Sequence, residues 1–413
     1  MHILHNRLPA DAIATTIVAL TTVLAACSGS GSSGAMTPPA VASASQTRPA
    51  QAAARSRFTE FAYVVSEYNS DVSAYSISSK GALTPVAGSP FSTGTAPWGI
   101  AIDPTGSFAY VTNNAGNSDS ISAFRINATT GALTPVMGSP FAAGTYPLGV
   151  AIDPTGKFAY ATNNGSNDVS AYTIGASSGA LTQVKGSPFA AGSNPFYLAV
   201  DPMSKFVYVV NSQSDSLSAY RIRAHGGALT PAKGSPFATG VVPNGVVVDP
   251  TGKFVYVASN GYSTYVSGSV SAFTINQTSG ALTPIAGSPF AAGLFTVYMT
   301  DDPKGKFAYA VNQGGNVSAY TINATSGALT PVTGSPFAAG PFPMTAAVDP
   351  SDSFAYVVNL TGNGGIGSIS GYSINPQSGA LTQVPGSPFS TGRYPLGIAT
   401  CRRIHNVCKP PPL

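Results

Sequence analysis

Few side chains in this sequence are candidates for chemistry, and most of its carboxylates recur in register. Asp103, Asp153, Asp201, Asp249, Asp302 and Asp349 each close a short apolar run and precede Pro, a position where Asp commonly accepts hydrogen bonds from its own backbone. Asp71, Asp119, Asp168 and Asp215 occupy a second recurring turn, where the same local role is the simpler explanation. Glu60, Glu67, Asp301 and Asp352 fall outside the pattern. Hydrolysis would need one group to activate water and donors to hold a developing oxyanion. Glu67 with Arg393 is the pair that could supply both, provided that the two ends of the chain meet in one sheet. An ion pair fastening that seam is the plainer role, so the scarcity of acids favours binding over turnover.

A second group suits recognition. Trp98, Tyr146, Phe196, Tyr197, Phe342 and Tyr394 stand at the starts of repeated apolar runs, and Asn113, Asn163, Asn211, Asn312 and Asn359 close others. Aromatic faces beside amides suit a glycan or another small polar ligand; alternatively the aromatics seal a channel and the amides cap turns. The Asn-rich stretch 163–168 lacks the regular oxygen spacing of a Ca²⁺ loop. Cys401 and Cys408, with His405 between them, would leave a zinc site one ligand short, so a disulfide is expected there, with no metal and no cofactor.

The elements that must position these residues come from a repeat. The stretch from Tyr146 to Asn164, YPLGVAIDPTGKFAYATNN, places two apolar runs around Asp-Pro-Thr-Gly, which reads as a β-hairpin. It returns with a period of roughly 48 residues, which argues for one repeat domain in place of several independent ones. Each unit carries four strand-like segments, typified by GVAIDP, FAYVTN, VSAYTI and GALTPV. Meanders of this kind predict an all-β, seven-bladed β-propeller over residues 58–400, in which stacked blades cover both faces of each sheet. The chain enters at a second strand and leaves at a first strand, Leu396 to Thr400, so that C-terminal strand is expected to close the ring. Residues 401–413 read as a tail. Seven copies of GSPF, from Phe91 to Phe389, are expected to pack between blades.

Residues 1–26 read as a signal peptide: His2, His5 and Arg7 precede an apolar stretch from Ala12 to Ala26. Leu24-Ala25-Ala26-Cys27 resembles the lipobox of bacterial lipoproteins, which implies lipidation of Cys27 and a membrane partner through the anchor. Ser28 in place of Asp resembles the pattern of outer-membrane lipoproteins, so the expected location is the cell envelope. Residues 27–57 are a Ser, Gly, Ala and Pro tether. With 8% charged residues and a net charge of +4, no nucleic-acid partner is expected; a monomer is, with an envelope protein as the other partner considered.

The tetrapeptide Tyr110-Val111-Thr112-Asn113, within a cycle of DPTGKFAYVTN, VSAY and SGALTPV, resembles the YVTN and lactonase-type seven-bladed propellers, a group that includes the propeller-type 6-phosphogluconolactonase. The resemblance spans residues 58–400 and implies the fold. It also implies a lactone-hydrolysing activity, with charged residues gathered at the central mouth, where this chain has few.

Overall fold

The computed structural model describes residues 60–115, 119–261, 267–361, 365–404 and 407–410, with residues 403–404 and 407–409 described by backbone alone. The signal peptide, Cys27, the tether and His405 lie outside these residues. The described strands form seven antiparallel sheets. In one, strands Pro147–Ile152, Phe158–Asn163, Asp168–Ile174 and Leu181–Gln183 follow in order from the inside outward. The FAYATN strand is buried along its whole length, whereas the outer LTQ strand buries only Leu181. Burial is therefore greatest at the second strand and falls towards the rim, while the innermost strand is half-buried in part, as expected where neighbouring blades cover both faces of the inner sheet.

Each blade also has a fifth segment that the sequence pattern leaves as connection, two residues long in six blades and five, Phe389–Arg393, in the seventh. Phe189–Ala190 pairs back onto the third strand beside Asp168 and Val169, and the Ser187 hydroxyl accepts the Ala171 amide at 2.9 Å. Phe189 packs against the blade core, and Phe91, Phe141 and Phe237 do the same elsewhere. The aspartates act in their turns. Asp153 Oδ1 accepts the Lys157 and Phe158 amides at 2.8 and 2.7 Å, and Oδ2 accepts the Thr155 amide and hydroxyl.

Blades are joined by one repeated contact. The buried Tyr110 hydroxyl donates to the Gly179 carbonyl of the next blade at 3.0 Å, Tyr160 donates to Gly227 at 2.9 Å, and Tyr63 to Gly131 at 3.0 Å. The last blade completes the circle, because Tyr356 donates to Gly81 of the first at 2.9 Å. Gly179 has φ +73°, and a Cβ there would lie 2.3 Å from the Phe108 ring, so only glycine fits between the phenylalanine and tyrosine of the adjoining strand.

Ring closure follows the expected pairing. Strand Pro395–Ile404 lies antiparallel to Glu60–Ser66, from Glu60 opposite Arg402 to Val65 opposite Gly397. It runs past Thr400, and Val407–Lys409 folds back upon it, so the expected tail carries a hairpin. Cys401 is buried and disulfide-bonded; the side chain of Cys408, its expected partner, lies outside the description. At this end of the seam Arg402 Nε is 3.6 Å from Glu60 Oε1.

Burial, reinforced by the Asp349 charge and partly offset by Arg402, pushes the Glu60 carboxyl up to about 8 from 4.5. The folded chain therefore keeps a proton that the unfolded chain gives up. Its stabilisation is fully present below about pH 4.5, falls as pH rises towards 8, and is lost above that. Glu60→Gln is expected to flatten the decline of the thermal midpoint between pH 5 and pH 8. Parallel declines in the two proteins, followed by calorimetry, would assign the loss to other groups.

Candidate functional site

The end of the ring that carries the second-to-third strand hairpins holds most of the residues singled out by the sequence, and the structure divides them. Asn113, Asn163, Asn211, Asn312 and Asn359 are fully buried. The Asn163 amide donates to Asp168 and Ser170 at 2.6 and 2.8 Å while its Oδ1 accepts the Gly144 amide at 3.2 Å. Asn211 repeats this with Ser216, Ser218 and Gly192. These amides tie each blade together behind the surface. Tyr146, Phe342 and Tyr394 share a left-handed conformation, with φ of 54°, 46° and 55°, each immediately before the proline that opens an inner strand. Phe342 is exposed, and Tyr394 stacks on Tyr68 with centroids 4.8 Å apart.

Glu67 and Arg393 do approach through their main chains. The Glu67 amide donates to the Tyr394 carbonyl at 3.0 Å, and the Arg393 amide donates to Asn69 Oδ1 at 2.9 Å. The guanidinium carbon stands 5.9 Å from the Tyr68 centroid, and burial raises the Glu67 carboxyl above its ordinary value. The seam also carries a Glu60–Arg402 ion pair, at the opposite end of the same strands.

Trp98, Phe196 and Tyr197 come together inside the ring. Trp98 meets Phe196 edge-on at 5.8 Å, Phe196 meets Tyr197 at 5.3 Å, and Tyr197 meets Tyr298 at 5.2 Å. Trp98, the Phe196–Tyr197 pair and Tyr298 belong to strands Pro97–Ile102, Pro195–Val200 and Thr296–Asp301, which lie in blades that are not neighbours. Their rings therefore cross the lumen. Edge-to-face contacts of this kind add about 0.5–1.5 kcal/mol each beyond simple burial, and they fill the half of the channel nearest the expected ligand-binding end.

The other half holds a cavity of about 240 Å³, lined by the last residues of the inner strands and by Pro410. Ile102, Ile152, Val200, Val248 and Val348 contribute aliphatic walls. The fifth-from-first equivalent of these positions is Asp301, opposite Ala308 as Ile102 is opposite Ala109. Tyr298, Thr300 and Thr400 add hydroxyls, and none of the described lining residues is basic. Thr400 is already bonded, to the Val348 carbonyl at 2.9 Å.

Asp301 Oδ2 is buried and has no hydrogen-bond partner. Burial first, then the charges of Asp302 and Asp249, hold its carboxyl well above the usual range, which favours the neutral acid. Burial and the nearby Asp301 raise the Tyr298 phenol to about 12. The cavity thus offers proton donors to a carbonyl or ether oxygen and lacks a ready base. Among the described residues no three side chains of ligand type gather to hold a metal ion. Asp301 is visible in the sequence as an acid off the repeat, but nothing there shows that it faces an apolar lumen.

The model of the family described as lactonase, 7-bladed β-propeller, matches residues 40–196, 185–283 and 260–385. No curated protein matches the sequence. Among solved structures, a proposed 6-phosphogluconolactonase from Bacteroides uniformis superposes with a TM-score of 0.71 at 17% identity, covering 83% of this chain and 100% of its own. A periplasmic gluconolactonase from Pseudomonas aeruginosa gives a TM-score of 0.67 at 17% identity, covering 83% of this chain and 98% of its own. A functionally unknown protein from Desulfotomaculum acetoxidans gives 0.65 at 16%, covering 83% and 99%. At such identities these likenesses report the fold.

Five blades place Ile or Val at the register of Asp301, so Asp301→Val is expected to stabilise the fold. An unsatisfied buried polar group costs about 1–3 kcal/mol, and urea unfolding should recover a gain of that order. A loss of stability would mean that the carboxyl is satisfied in the native chain.

Proposed function

We propose, for a chain that belongs to the seven-bladed lactonase propeller family, that its central cavity binds a small uncharged oxygen-bearing ring such as a sugar lactone. The observation that carries this reading is the unpartnered Asp301 Oδ2 in a mainly aliphatic cavity of about 240 Å³. A buried polar group that destabilises its own fold is a common mark of a ligand site. The volume lies below the roughly 300–1,000 Å³ of drug-sized sites, which suits a small ligand. The absence of a basic group among the described lining residues disfavours a phosphorylated one, whose charge would lose its hydration without a counter-ion.

Binding without turnover is the form of the proposal that the chemistry favours. Asp301, held neutral, can donate to a lactone carbonyl but is poorly placed to take a proton from water. Lactone hydrolysis is the second reading, supported by the family and by the gluconolactonase among its structural relatives; there Asp301 would polarise the carbonyl and water would need activation from elsewhere. The lipobox at Cys27 supports attachment of this binding module to a membrane of the cell envelope, with the tether giving it reach.

The test uses the full chain in detergent against gluconolactone, smaller lactones, 6-phosphogluconolactone and neutral disaccharides, read by thermal shift and by ring opening at constant pH. Neutral lactones are expected to raise the midpoint, the phosphorylated one to be without effect, and Asp301→Val to abolish the shift. A shift that persists in Asp301→Val would place the ligand elsewhere, and ring opening lost in that variant would establish hydrolysis. Cys27→Ser is expected to move the chain from the membrane to the soluble fraction; unchanged sedimentation with membranes would count against the anchor.

A further inference from the structure

The cavity has two ends of different construction. Towards the hairpins that hold Tyr68 and Asn167, the lumen is crossed by Trp98, Phe196, Tyr197 and Tyr298, with Trp98–Phe196 and Tyr197–Tyr298 contacts between non-neighbouring blades. A ligand cannot pass such a packed layer without disassembling it. Towards the Asp-Pro turns the cavity is bounded by residues at the ends of inner strands, and there Pro410 joins the lining.

Pro410 is out of place by the logic of the repeat. In six blades the inner strand is followed by an Asp that folds the chain into the next turn, as Asp153 does after Ile152. In the closing blade that position is Cys401, opposite Phe61. Without the Asp turn the strand continues to Ile404, reverses, and returns as Val407–Lys409. The hairpin ends at the channel mouth. The next residue, the half-buried Pro410, then meets the cavity.

We infer that access to the Asp301 cavity runs past Pro410, and that this residue, carried there by the C-terminal hairpin, limits the size of the ligand admitted. The inference rests on reading the cavity as a ligand site, but its central claim concerns access and is measured without any ligand. Proline suits the role because its ring is rigid and its backbone offers no amide to be satisfied.

The experiment introduces Ala347→Cys, whose side chain lines the cavity, into the full chain. Labelling of residue 347 by a small and by a bulky methanethiosulfonate is timed and localised by mass spectrometry under non-reducing conditions. Pro410→Gly and a chain ending at Lys409 are compared with the parent. The bulky reagent is expected to react at least ten-fold faster in both, while the small reagent changes by less than three-fold. Equal rates for the bulky reagent in all three proteins would overturn the inference. Pro410→Gly keeps the test intact if the shortened chain misfolds. A gate that behaves as expected beside an empty lactone panel would sink the ligand reading alone; a positive panel with unaltered labelling would sink the gate alone.

Discussion

The contact on which the ring depends is the tyrosine hydroxyl that reaches from the second strand of one blade to a glycine carbonyl of the next. It recurs around the circle, from Tyr63 to Tyr356, and it is buried. A buried phenol without a partner would cost more than its hydrogen bond contributes, so each blade is stable only when its neighbour stands at the right distance and rotation. The glycine adds a steric condition, because a Cβ on Gly227 would lie 2.3 Å from the Phe158 ring. Angle and spacing between blades are thereby set locally, and repetition of one local solution closes the circle.

The ring was legible in the chain, though this contact was not. The alternation of apolar runs with Asp-Pro turns, the phenylalanine that opens each second strand and the entry and exit of the chain at complementary strands led to the correct ring and its closure. The five asparagines were harder to place. Their amides bond serines on the adjoining third strand, as Asn113 does with Ser120 and Ser122 and Asn163 with Ser170; the hairpin between the two strands varies in length, so the offset varies from blade to blade and no fixed spacing marks these amides as internal struts. The short strand at each GSPF was hidden because two residues carry no periodicity.

The lumen was legible only in part: aromatics sealing a channel could be read as one alternative, but not which rings would meet, for a geometrical reason. Period and burial pattern report what lies above and below a strand, whereas the inner strands also face one another across the axis, between blades far apart in sequence. Trp98 and Phe196 meet there, as do Tyr197 and Tyr298, and no local pattern predicts either contact. The same blindness applies to Asp301. One departure from an aliphatic register is a minor irregularity along the chain, but in an enclosed space it becomes the chief polar feature.

The ring also imposes an order of assembly. Strand Glu60–Ser66 is made first, but its inner neighbour, Pro395–Ile404, is made last. Until the final residues arrive, a largely apolar strand has one edge without a partner, and the first and seventh blades have open faces. Contacts of such sequence separation form slowly, and an open edge invites pairing with other chains. Each molecule therefore passes through a vulnerable interval whose length is set by the whole sequence, and a premature stop anywhere before residue 395 leaves an incomplete circle that cannot close on itself.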